Sequence, residues 1–160
     1  MSSFLIRPVD EPDRAWIASI LEDRWGGEPM VIRGEFTYPS THPGFVAVDG
    51  DERVGLVTYA IDGPTCEITS LLSLREGRGI GTALVASVAG AARGERCGRL
   101  QLVTTNDNEH AISWYERRGF TVTGVREGAM AEVRRLKPGV PLANDAGVPI
   151  RDEISLAREP

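Results

Sequence analysis

The sequence predicts a mixed α/β fold in a single domain, residues 1–160, whose sheet lacks the strict strand–helix alternation of a doubly wound protein. Three observations carry this. Three strand-like runs follow one another between Phe45 and Leu74 with no helix between them. Glycines at alternating positions, Gly77, Gly79 and Gly81, then lead straight into an amphipathic helix. The chain of 160 residues, with 41% apolar and 26% charged side chains, suits one soluble domain with a real core.

Phe4 to Val9 reads as a strand, and Asp10 is placed to cap a helix running to about Arg24, with Trp16, Ile17, Ile20 and Leu21 on one face. Gly26 to Gly44 is a long excursion rich in proline and glycine, with a short strand at Met30 to Arg33. Phe45 to Asp49 and Arg53 to Ile61 flank a tight Asp49-Gly50-Asp51 turn. Gly63-Pro64 then precedes a third run, Thr65 to Leu74, completing an antiparallel meander. Past the glycine turn a helix extends to about Arg93, with Leu84, Val88 and Ala91 inward. A strand at Arg99 to Thr105, a helix at Asn108 to Arg118 closed by Gly119, and a strand at Phe120 to Arg126 follow. Gly128 to Lys137 forms a short helix with Met130, Val133 and Leu136 inward, and Ile150 to Leu156 alternates as a last strand.

Charge and cysteine usage narrow the function. The net charge is −5 with no basic run to follow a phosphate backbone, so nucleic acid is not an expected partner and a cationic small molecule is favoured. Cys66 and Cys97 lack CxxC spacing or a histidine cluster, and no metal site is expected. The N-terminal MSSFLIRPVDEPDR meets proline and acids after a short apolar run, and nothing later approaches a membrane span. A cytoplasmic protein without membrane association is expected.

The glycine turn, Arg75 to Val85, has the makings of a phosphate cradle, because glycines let the backbone approach a ligand and the following helix presents unpaired N–H groups. It is not a dinucleotide fingerprint, since the third glycine of GxGxxG counted from Gly79 falls at Leu84. Nor is it a nucleotide P-loop, since Thr82 and Ala83 follow Gly81 where lysine and a hydroxyl are required.

Two motifs together resemble the GNAT superfamily of acetyl-CoA-dependent N-acetyltransferases. Glu76-Gly77-Arg78-Gly79-Ile80-Gly81 aligns with its [Q/R]xxGx[G/A] signature, and NEHAISWYERRGF, Asn108 to Phe120, with its later Asn-x-x-Ala-x-x-Phe-Tyr-Glu-x-x-Gly-Phe pattern. The resemblance spans about Phe4 to Arg126 and implies the GNAT fold, with central strands that splay apart. Glu76 departs from the signature. A carboxylate there would repel a pyrophosphate, so Glu76 is expected to point outward with Arg75 or Arg78 supplying positive charge.

The resemblance implies that the donor's pantetheine arm pairs with Leu72, Ser73 and Leu74. Its pyrophosphate would rest on the N–H groups of Gly77, Arg78, Gly79, Ile80, Gly81 and Thr82, with the Thr82 hydroxyl as a further donor. Asn108 is implied as a cofactor contact as well as a helix cap, and Tyr115 as the group that protonates the departing thiolate. Because an alkylamine with a pKa near 10 is only about one part in a thousand neutral at pH 7, a base is expected. Glu67 is favoured over Glu35 and Glu109. Trp25, Glu35 and Tyr38 are expected to line the acceptor site, while His42 and His110 read as surface polar groups and Trp114 as core. The expected function is transfer of acetyl from acetyl-CoA to a primary amine, on a small molecule or peptide, by direct attack in a ternary complex. The alternative is a non-catalytic CoA-sensing or partner-binding module of the same fold. Edge strands or the late helix are the surfaces through which a homodimer would form.

Overall fold

The computed structural model describes residues 3–160 and is mixed α/β. Its contacts group into two compact units. The first comprises the chain up to Glu28, Tyr38–Leu100 and Glu159–Pro160; the second comprises Pro29–Thr37 and Gln101–Arg158.

The first unit is an antiparallel meander backed by helices. Strands β1 (Leu5–Pro8), β4 (Gly44–Asp49), β5 (Glu52–Asp62) and β6 (Thr65–Ser73) lie side by side in that order. All three ladders are antiparallel. Strand bounds agree with the sequence reading to within a residue or so because the turn residues set them; Gly50 and Gly63 take positive φ, 61° and 58°, at the two hairpin tips. Helix α1 (Asp13–Trp25) buries Ile17 and Leu21 against Val46, Leu56 and Leu72, with Trp16 and Ile20 packed on the rim. Helix α2 (Ile80–Gly94) buries Leu84, Val85 and Val88.

Two details differ from expectation. Asp10 does not cap α1: the helix starts at Asp13, because Pro12 disfavours helical φ/ψ at Glu11 before it. Asp13 instead turns its buried carboxylate back, accepting the Asp10 N–H at 2.8 Å and bonding Arg7 and Arg53. In α2 the buried position near the C-terminus is Ala92, one residue past the predicted Ala91.

In the second unit β2 (Met30–Ile32) and β3 (Glu35–Thr37) form a hairpin within the excursion. The Arg33-Gly34 turn has both φ values positive, 53° and 81°, as a two-residue type I′ connection requires. The sequence predicts β2 alone, because asparagine or glycine usually opens such a turn and arginine carries no such signal. Strand β9 (Glu153–Arg158) lies between β7 (Arg99–Thr105) and β8 (Thr121–Arg126). It starts three residues later than expected, because the Arg151 and Asp152 N–H groups are taken by Oδ1 of Asn106, at 2.9 and 3.0 Å, instead of a ladder. Helices α3 (Glu109–Glu116) and α4 (Ala129–Leu136) complete the unit. Met130 and Val133 of α4 pack with Ile150, whereas Leu136 is exposed, since it falls past the last turn that faces the core.

Candidate functional site

The turn between β6 and α2 is built by two left-handed glycines. Gly77 and Gly79 have φ of 73° and 76°, which side chains with a Cβ resist by about 1–2 kcal/mol, and a Cβ at either would meet nothing within 4 Å. Conformation, and not packing, is what requires glycine there. Gly81 differs: it sits in the first turn of α2 and does not take positive φ. Gly79 is the N-cap, and the first bond of the helix runs from the Ala83 N–H to the Gly79 carbonyl at 3.0 Å. The N–H groups that open α2 therefore face its N-terminal end, and no side chain caps them. Consecutive turn amides at a helix start form a concavity suited to a phosphate.

The charges around the turn are arranged differently from expectation. Glu76 is exposed. Arg75 is committed to the hairpin below, with Nη1 2.6 Å from Oδ2 of Asp49 and Nη2 bonded to Glu52. Arg78 lies 3.5 Å from the same Asp49 oxygen. The two arginines thus cancel the Asp49 and Glu52 carboxylates next to the turn. Thr82 is exposed one turn into α2, and Ile80 is buried.

On β6 the three residues expected to pair with a ligand are not equivalent. The Leu74 N–H bonds the Val54 carbonyl at 2.8 Å, so by the two-residue alternation of the ladder Leu72, opposite Leu56, also turns its main-chain groups toward β5. Ser73 and Leu71 face their main-chain groups the other way. The Leu72 side chain belongs to the core, and the Ser73 hydroxyl donates to the Arg75 carbonyl at 2.9 Å, bracing the entry to the turn. Glu67 is half-buried on the same strand opposite Ala60.

A polar cluster that sequence reasoning missed lies in this unit. β6 carries a bulge opposite Thr58 and Tyr59, and there Thr58 Oγ1 meets Thr69 Oγ1 at 2.8 Å and Ser70 Oγ at 2.6 Å. Thr69 in turn meets Nδ1 of His42 at 2.9 Å. His42 is half-buried rather than a free surface group, and burial pushes its pKa below the ordinary value, with Arg14 acting the same way and Glu28 opposing. A single histidine after Ser-Thr gave no periodic signal. Trp25 ends α1 and Tyr38 opens the short 3-10 turn Pro39–Thr41; both are exposed.

The remaining candidates belong to the second unit. Glu35 is exposed beside the β2–β3 turn. Asn108 is the N-cap of α3 by position only: at φ −93° and ψ 58° its side chain is not aimed at the helix N–H groups and instead reaches Oγ1 of Thr104 at 3.3 Å. The helix ends at Glu116, and Gly119 with φ of 90° closes the turn beyond it. Tyr115 packs edge-on against Trp114 and Phe120, with ring centroids 5.1 and 5.3 Å away. Burial raises the pKa of its phenol above the ordinary value. Trp114 is only half-buried and carries the Arg118 guanidinium 3.6 Å over its ring. A cleft of about 580 Å³ lined by Glu127, Gly128, Ala131, Arg134, Arg151 and Asp152 holds none of the expected site residues.

Comparison with known proteins is concordant. A model described as the acetyltransferase (GNAT) family matches residues 8–120. The uncharacterized protein YdhI of Bacillus subtilis is 39% identical over 155 residues, covering 96% of this chain and 97% of that protein. A Bacillus subtilis acetyltransferase in complex with CoA superposes with a TM-score of 0.71 at 17% identity, covering 99% of each chain. A GNAT family acetyltransferase from Elizabethkingia anophelis with acetyl-CoA bound gives 0.70 at 20% identity, with 98% of each chain covered. No helix among the described residues is long and apolar enough to cross a membrane.

Proposed function

The chain belongs to the GNAT acetyltransferase family, and from that premise we propose that it transfers an acetyl group from acetyl-CoA to a primary amine by direct attack in a ternary complex. The observation that carries the reading is the Gly77–Gly79 turn. Two enforced positive-φ residues and an uncapped helix start make a concavity for a pyrophosphate, and Arg75 and Arg78 neutralise the adjacent carboxylates.

Acetyl-CoA supplies an activated thioester. The chain's own groups do the rest. The amides of Gly77 to Thr82 hold the diphosphate, with the Thr82 hydroxyl at their edge. On β6, Ser73 has main-chain groups facing away from β5, so it is the member of the Leu72–Leu74 set that pairs with the pantetheine arm. A main-chain N–H of β6 supports the negative charge that develops on the carbonyl oxygen. Tyr115, whose phenol carries its proton at neutral pH, donates to the leaving sulfur. Asn108 contacts the cofactor through the side chain that is not used as a cap.

Glu67 is the β6 carboxylate that would attract a cationic amine and is the sequence's candidate to take its proton. Trp25, Tyr38 and Glu35 are proposed acceptor contacts, the first two being large exposed aromatics that suit stacking or cation–π recognition. Homodimer formation is proposed through β8, whose six residues are all exposed, including Val122 and Val125.

The test is consumption of acetyl-CoA against a panel of a polyamine, an aminoglycoside and an alanyl peptide, with acetylated product read by mass spectrometry. The reading expects product with at least one amine. Binding of CoA with no acetylated product from any primary amine would transfer the assignment to a CoA sensor.

A further inference from the structure

We propose that the amine's proton leaves through three linked hydroxyls, Ser70, Thr58 and Thr69, and is taken by Nδ1 of His42. The inference rests on the acetyltransferase reading and adds the proton's route to it.

The chain of hydroxyls exists because of the bulge. Thr58 pairs with Ser70 and Tyr59 with Ile68, which leaves Thr69 as an extra residue on β6. Two bulge residues oppose one partner, so both hydroxyls reach the same Thr58 oxygen, at 2.6 and 2.8 Å, instead of pointing to opposite faces. Most buried hydroxyls bond to main chain. These three bond to one another and end on an imidazole 2.9 Å from Thr69.

Each hydroxyl has one proton to give and lone pairs to accept with. In the orientation that the proposal requires, Ser70 donates to Thr58, Thr58 to Thr69, and Thr69 to Nδ1 of a histidine protonated on Nε2. Thr58 has no exposed surface, Thr69 keeps 8% and Ser70 7%, and His42 is half-buried, so the hydroxyls are buried while the imidazole that ends the chain retains surface. Ser70 lies three residues before Ser73 on β6, away from the glycine turn, which is the direction in which the proposed reading places the reacting end of the donor.

The base is held rigidly. Arg14 donates to the Ser40 carbonyl at 3.1 Å and to the His42 carbonyl, while Glu28 accepts the Ser40 N–H and hydroxyl at 2.8 and 2.7 Å. The Pro43 carbonyl accepts the Tyr59 N–H at 3.0 Å, tying the segment to β5. Arg14 of α1 and Glu28 of the loop after it are the charged groups that act on the ring, and with burial the net effect keeps it neutral near pH 7.

The proton balance closes in two steps. The ammonium form held beside Glu67, three residues before Ser70, first loses one proton to solvent, which frees the lone pair that attacks. As nitrogen bonds the acetyl carbon and the carbon–sulfur bond breaks, a second N–H bond breaks and its electron pair stays on nitrogen. That proton passes to Ser70 Oγ while Ser70 gives its own to Thr58, Thr58 to Thr69, and Thr69 to Nδ1. Tyr115 protonates the departing thiolate and regains its proton from solvent. The imidazolium releases one proton to solvent, the ring returns to its Nε2–H tautomer by exchange with water, and the three hydroxyls rotate back.

His42→Asn is the deciding variant, because an amide oxygen can accept the Thr69 hydrogen bond but cannot take a proton. With an amine that the wild type acetylates, His42→Asn is expected to lower kcat about a hundredfold. It should also abolish the acidic limb of the pH profile and leave acetyl-CoA affinity by calorimetry within twofold. Thr58→Val, and Ser70→Ala should the former not fold, are expected to do the same. In the wild type with CoA bound, nitrogen NMR of the two histidines, assigned with His110→Gln, is expected to show His42 neutral at pH 7 with its proton on Nε2. Retained kcat and acidic limb in His42→Asn, or a charged His42 at pH 7, overturns the proposal while leaving the acetyltransferase reading intact. A wild type that binds CoA but acetylates no amine overturns both.

Discussion

Ile80 rests on the bare backbone of Gly55: a Cβ added there would lie 2.6 Å from Ile80 Cγ2 and 3.1 Å from Leu84 Cδ1. The first turn of α2, which presents the amides of the glycine turn, is thereby seated directly on β5. Gly55→Ala must push that turn outward. It is expected to cost about 1–3 kcal/mol by overpacking and to weaken acetyl-CoA binding. Thermal unfolding and calorimetry check the two effects, and a variant with unchanged Tm would show that α2 is not seated this way.

Tyr115→Phe removes the proposed proton donor without changing ring packing against Trp114 and Phe120. A fall in kcat of about a hundredfold with little change in acetyl-CoA affinity is expected. The raised phenol pKa has its own signature: the ultraviolet titration step of Tyr115 should come at higher pH than that of an ordinary tyrosine. A Tyr115 that titrates normally would show the phenol to be solvated.

The Asp13 carboxylate has no exposed surface and sits 2.7 Å from Arg7 Nη1 and 2.8 Å from Arg53 Nε. The Arg7 hydrogen bonds, foremost, hold its pKa far below the ordinary carboxylate range. A folded pKa below the unfolded value gives stability that is present above the unfolded pKa near 3.8 and is lost as pH falls toward the folded one. Asp13→Asn is expected to cost about 3 kcal/mol at pH 7 and progressively less below pH 4. Denaturant melts across pH measure the slope, and an acid-independent difference would contradict it.

Arg75 and Arg78 guard the turn against the Asp49 carboxylate. Arg75→Gln is expected to weaken acetyl-CoA binding several-fold at low salt and Asp49→Asn to strengthen it, both effects shrinking as ionic strength rises. The same sign for both variants would mean that the hairpin tip acts on the turn through structure and not charge.

The sequence made the strands legible where turn residues bounded them: Gly50 and Gly63 set the meander. The glycine turn and the Asn108–Phe120 pattern identified the family because glycine conformation and an aromatic helix face are written locally. What escaped depends on contacts distant in sequence. The buried Asp13 carboxylate is held in part by Arg53, 40 residues away, and Asn106 delayed β9 by taking amides 45 and 46 residues away. His42 acquired its hydroxyl partner only when the β6 bulge brought Thr69 to it. No local pattern encodes that meeting.

In the proposed function the left-handed glycines present a diphosphate site. Calorimetric titration of acetyl-CoA into the wild type, Gly77→Ala and Gly79→Ala tests it most directly, since neither substitution meets a packing clash. One acetyl-CoA bound per chain is expected, with an affinity at least tenfold lower in each variant and the fold retained. Unchanged affinity in both variants, or no binding by the wild type, would contradict it.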